Sequence, residues 1–133
     1  MKKAILYTDG ASRGNPGESG AGVILYDSHG EVLCEITEYL GRGTNNQAEY
    51  KAFIIGLKKA KKLEIQDLTV KMDSELIVRQ LKGEYKVKNE GLLSLFLEAK
   101  KLILQFRSLK VEHVPRKENK EADRLANEAL DER

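Results

Sequence analysis

The stretch YTDGASRGNPG, residues 7–17, follows directly on a β-type run, AILYT at 4–8. Alternating aliphatic and aromatic residues favour an extended chain. The residues after Asp9 are turn formers: Gly10, Ser12, Gly14, Asn15, Pro16 and Gly17. Read locally, Asp9-Gly10 is an ordinary turn. Read globally, a carboxylate has been set at the end of a strand, where an open α/β sheet binds its ligands. What the rest of the chain brings to the same place decides between these readings.

Outward from Asp9, residues 3–8 read as a first strand. GAGVILYD (20–27) and EVLCEITEYL (31–40) read as two more, joined by the turn SHG. Such short connections imply an antiparallel meander. The period then changes from two to 3.6. TNNQAEYKAFIIGLKKAKKLE reads as a helix opening at Thr44, with Thr44 and Gln47 at the spacing of a capping box. LTVKMD (68–73) is a strand and SELIVRQLKG a helix, followed by the basic loop GEYKVKNEG. LLSLFLEAKKLILQF is a long amphipathic helix, LKVEHV a strand, and 118–131 a last helix. The order β-β-β-α-β-α-α-β-α implies an α/β fold, with a mixed five-stranded sheet and helices on both faces. No linker or repeat interrupts it, so residues 1–133 read as a single domain.

Composition excludes several classes. Lys and Arg number 23 against 21 Asp and Glu, a net charge of +2. No basic tail announces a polyanion partner. A single cysteine, Cys34, rules out an internal disulfide and suits a reducing, cytoplasmic setting. Alternation with Val32 and Ile36 makes it a small buried side chain. No leader-like or membrane-spanning stretch is read, so no membrane partner is expected, and monomer is the default state.

Four acids fall at marked places. Asp9 ends the first strand and Asp73 the fourth. Glu49 lies early in the first helix, on a face shared with the small residues Ala52, Gly56 and Ala60. Asp123 lies about a turn into the last helix, bordering the stripe Ala122, Leu125, Ala126 and Ala129. Each also has a plain reading: a turn, a helix cap at Asp73-Ser74, a dipole partner, a solvated ion pair. If they converge, a cation is required. Two carboxylates ~4 Å apart repel by about 4 kcal/mol at an effective dielectric of about 20. Neither His29 nor His113 stands at metal-ligand spacing. All-oxygen ligands select Mg²⁺ or Mn²⁺ over zinc, and an all-acid site suggests phosphate chemistry with two ions.

The segments YTDGASRGNPG, TNNQAEY, KMDSELIVRQL and ENKEADRLAN resemble, in order and spacing, the four sequence blocks of the type 1 ribonuclease H family. The resemblance spans nearly the whole chain. It implies Mg²⁺- or Mn²⁺-dependent endonucleolytic hydrolysis of the RNA strand of RNA–DNA hybrids, leaving 5′-phosphate and 3′-hydroxyl ends. It implies that Asp9, Glu49, Asp73 and Asp123 are the metal-binding catalytic acids. Ser12, Asn15, Asn45 and Asn46 match positions that contact the minor groove and RNA hydroxyls. Thr44 and Arg13 match candidates for backbone phosphates.

Three departures qualify the match. The basic helical handle of many members is missing, which leaves Lys86, Lys88 and scattered lysines to hold the substrate. The loop before Asp123, HVPRKEN, lacks the family's histidine, and Arg116 is the substitute candidate. Arg116 can clasp a phosphate but cannot titrate near neutral pH. Glu75 stands where Gln is frequent. Two alternatives stay open: a nucleic-acid-binding module impaired in catalysis, and a same-fold nuclease that also cuts double-stranded RNA.

Overall fold

The computed structural model describes residues 2–132. Five strands form one sheet: β1 (Lys3–Gly14), β2 (Gly17–Asp27), β3 (Val32–Gly43), β4 (Asp67–Met72) and β5 (Ser108–His113), in the order β3-β2-β1-β4-β5. The first three pair antiparallel, and β4 and β5 join in parallel. The mixed sheet therefore forms as the element order requires. Helices α1 (Asn45–Lys62), α2 (Glu75–Leu81), α3 (Glu90–Ile103) and α4 (Lys120–Asp131) complete the fold. Residues 82–89 join α2 to α3 with no helix between them, so the handle is absent.

Helix α1 forms where the capping box predicts. Gln47 N–H donates to Thr44 Oγ1 at 3.1 Å, and Thr44 N–H donates to Gln47 Oε1 at 2.9 Å. Its Ala52–Gly56–Ala60 face is buried against the sheet. The main core lies on this side: Leu6, Val23, Leu25 and Val70 of the sheet meet Tyr50, Phe53 and Leu57 of α1. Each such fully buried side chain contributes roughly 1.5–3 kcal/mol. Helix α4 covers β1, β2 and β3 from the opposite face. It comes close because of Gly22, where a Cβ would collide with Ala122 O and stand 2.5 Å from Ala126 N.

Several boundaries differ from the expected ones. Strand β1 does not stop at Asp9 but runs on to Gly14, paired throughout with β2. Its turn-forming residues serve other ends. Gly10 lets α1 press on the strand, since a Cβ there would fall on the main chain of Ala48 and Glu49. The last helix begins at Lys120, after a separate 3₁₀ turn, Arg116–Glu118. Cys34 is half-buried rather than buried, and its neighbour Val32 is 52% exposed, because β3 is an edge strand.

Candidate active site

The site forms where two strands part. β1 pairs with β4 only as far as Tyr7–Lys71, whereas its pairing with β2 continues to Gly14. Beyond Tyr7 the β4 edge of β1 has no strand partner, and main-chain groups must find other ones. Glu49 Oε1 accepts the Gly10 N–H at 2.6 Å. Asn119 Nδ2 donates to the Thr8 carbonyl at 3.0 Å and to Asp73 Oδ2 at 3.2 Å. Asp73 directly follows β4, and Ser74 caps α2 by accepting the Ile77 N–H at 3.3 Å. The cap and the strand-end acid thus coexist: Ser74 takes the cap and leaves the Asp73 carboxylate to the cleft.

Asp9, Glu49 and Asp73 offer carboxylate oxygens that lie within 4.8 Å of one another. Asp9 and Glu49 are each only 5% exposed. Asp123, half-buried on α4, lies outside this tight trio but lines the same cleft of about 420 Å³. Asn127 steadies it, donating to the Asp123 carbonyl at 3.0 Å and to Oδ1 at 3.4 Å. Arg124 turns away to Glu121 and Glu128.

Burial, then Glu49, Asp73 and Asp123 in turn, pushes the Asp9 carboxyl up to about 10. Burial likewise raises Glu49 to about 8, opposed by the Gly10 N–H. The two titrate as a pair. Without a cation Asp9 and Glu49 keep protons at neutral pH, chiefly because burial penalises their charged forms, with the neighbouring carboxylates adding to it. Among the described residues, no histidine or cysteine lines the cleft. Hard oxygen donors at this spacing fit Mg²⁺ or Mn²⁺.

The sign of the pH dependence follows from these shifts. Both carboxyls lie above their unfolded values, so the folded chain binds more protons than the unfolded chain. That stability is complete below about pH 4 and is lost as pH rises toward 8 to 10. Between pH 6 and 9 the metal-free protein should lose stability, at up to about 1.4 kcal/mol per pH unit for each carboxyl that is protonated in the folded chain and ionised in the unfolded one, and its melting temperature should fall. Saturating Mg²⁺ or Mn²⁺ should flatten the slope and raise the curve most at the alkaline end. A metal-independent, level profile by calorimetry would contradict the clustering.

The other expected residues divide. Ser12, Asn45 and Arg116 line the cleft beside the acids. Ser12 Oγ also donates to the Gly43 carbonyl at 3.1 Å. Asn15 is not part of the cleft lining but touches it through Asn45, its Oδ1 accepting the Asn45 N–H at 3.0 Å. Thr44 is occupied as the α1 cap, and Asn46 is half-buried beyond the cleft lining. Arg13 does not reach the cleft; it pairs with Asp131 at 2.6 Å. Lys86 and Lys88 stand exposed in the α2–α3 loop, away from the acids. Glu75 pairs with Arg79 at 3.1 Å. Asn119 is a further residue of the site, not singled out by the sequence; it immediately precedes α4, four residues ahead of Asp123.

A sheet in this order, with acids gathered where its first and fourth strands part, makes a ribonuclease H-like domain. Residues 7–129 match the family described as reverse transcriptase-like. The bifunctional protein Rv2228c of Mycobacterium tuberculosis is 47% identical over 130 residues, covering 97% of this chain and 36% of that protein. The chain therefore spans little more than a third of that relative. The crystal structure of RNase H1 from the halophilic archaeon Halobacterium salinarum has a TM-score of 0.96 at 40% identity, covering 98% of this chain and 99% of that one. LC11-RNase H1, solved in complex with an RNA/DNA hybrid, has a TM-score of 0.92 at 42% identity, covering 97% of each chain. The chain belongs to the type 1 ribonuclease H family.

Proposed function

We propose that this chain hydrolyses the RNA strand of RNA–DNA hybrids, leaving 5′-phosphate and 3′-hydroxyl ends. The observation that carries this reading is the convergence of Asp9, Glu49, Asp73 and Asp123, from separate elements, on one cleft edged by small polar groups. A similar chain is solved on such a hybrid. Asp9, Glu49, Asp73 and Asp123 would together hold two Mg²⁺ or Mn²⁺ ions. When bound, the ions supply positive charge against the phosphate and make water a better nucleophile. With substrate bound, Glu49 would also stand near a ribose hydroxyl. Ser12, Asn15, Asn45 and Asn46 read the wide, shallow minor groove and its 2′-hydroxyls, as small hydrogen-bonding groups do. Thr44, Arg13, Lys86 and Lys88 meet backbone phosphates, Arg13 by exchanging Asp131 for substrate.

Arg116 has a fixed positive charge at the rim of the cleft and holds the scissile phosphate or its product. Arg116→Ala should lower kcat about a hundredfold, in line with loss of one charge-stabilising donor, and leave KM nearly unchanged. An unaltered kcat in steady-state assays would remove Arg116 from the reaction.

No helix among the described residues is long and apolar enough to cross a membrane. We place the protein in the cytoplasm as a monomer. The decisive experiment is metal-dependent cleavage of end-labelled RNA–DNA hybrid, double-stranded RNA and double-stranded DNA. Only the hybrid should be cut, in its RNA strand. Cleavage of double-stranded RNA would broaden the activity, and no cleavage with either ion would leave a binding module.

A further inference from the structure

Asn119 is 1% exposed, yet it lies at the centre of the acid cluster's supports. Its Nδ2 donates to the Thr8 carbonyl, one residue from Asp9, and to Asp73 Oδ2. Its own carbonyl accepts the Asp123 N–H at 3.1 Å, in the first turn of α4. One residue thus touches the chain beside Asp9, the side chain of Asp73 and the main chain of Asp123. Both groups facing the amide are acceptors, which forces its nitrogen toward them. Asn119 Oδ1 has no protein partner among the described residues, so the donor end alone fixes the side chain. A neutral donor is what this place demands: an ionised carboxylate would face another anion, and a cation would compete with a metal.

We infer that Asn119 is a positioning residue for the metal site, aiming Asp73 at the ions while replacing the missing β4 rung at Thr8. The inference rests on the metal-site reading above. Residues that orient metal ligands in this way commonly account for 10–100-fold in metal affinity.

The test is Mn²⁺ binding to the metal-free full chain, followed by titration calorimetry, with melting temperature measured in parallel. Asn119→Ala should bind Mn²⁺ 10–100-fold more weakly. Its cleavage should recover when Mn²⁺ is raised in proportion. Ile54→Ala, in the core on α1 and away from the cleft, should lower the melting temperature and keep the wild-type Mn²⁺ affinity. Asn119→Ala binding within twofold of wild type, with only its melting temperature reduced, overturns the inference and makes Asn119 a structural cap. If Asn119→Ala does not fold, Asn119→Ser takes its place under the same two outcomes. A wild-type chain that binds no Mn²⁺ defeats the metal-site reading first, and this inference with it.

Discussion

Asp73→Asn should lose at least roughly a thousandfold in hybrid cleavage, about 4 kcal/mol of transition-state stabilisation, while the fold survives. The substitution removes a charge and little else. Asp73 is half-buried, and its place between β4 and the Ser74 cap is set by main-chain pairing that an amide does not disturb. Asn119 can still donate to the oxygen that remains. What disappears is one of three carboxylates gathered within 4.8 Å. The metal-free variant should melt no lower than wild type, since a repelling anion has gone. Its gain from added Mg²⁺ or Mn²⁺ should shrink sharply. Retention of even a tenth of wild-type cleavage, measured on labelled hybrid in excess metal, would refute the role given to Asp73.

Gly22→Ala should lift helix α4 from the sheet and cost both stability and cleavage. The new Cβ would collide with Ala122 O and come 2.5 Å from Ala126 N and 2.9 Å from Leu125 Cβ. Two of these three neighbours are main-chain atoms inside a helix, which cannot rotate aside. Helix α4 must lift from β2, at a cost of about 3 kcal/mol, or roughly 10 °C in melting temperature. Asp123 rides on that helix, one residue from Ala122. A displacement of about an ångström near a reacting centre can cost a hundredfold in rate, so cleavage should fall even at temperatures where the variant is folded. A melting temperature within 2 °C of wild type, read by circular dichroism, would mean that α4 sits less tightly than this contact requires.

The sequence carried the local half of this molecule. Thr44 and Gln47 announce their cap because both partners lie within one turn. The four acids were legible because each is fixed by its own element, and the family blocks name the set. Contacts set by distant parts of the chain were hidden. Gly10 and Ser12 look like turn residues, yet they lie in a continuing strand, because the demand on Gly10 comes from Ala48 and Glu49 of another element. Arg13 looks available for phosphate until the fold brings Asp131 to it, 118 residues later. Asn119 looks like a simple helix start, and only the parting of β1 from β4 gives its amide something to hold.

The link between β4 and α2 is only Asp73 and Ser74, anchored on one side by a parallel ladder and on the other by a helix cap. Such a tether has no slack. Inserting or deleting a single residue there would swing Asp73 out of line or uncap α2, whereas the eight-residue loop 82–89 has room to change length. The chain's freedom to vary and its duty to hold charge in place are thus kept in separate stretches, a few residues apart.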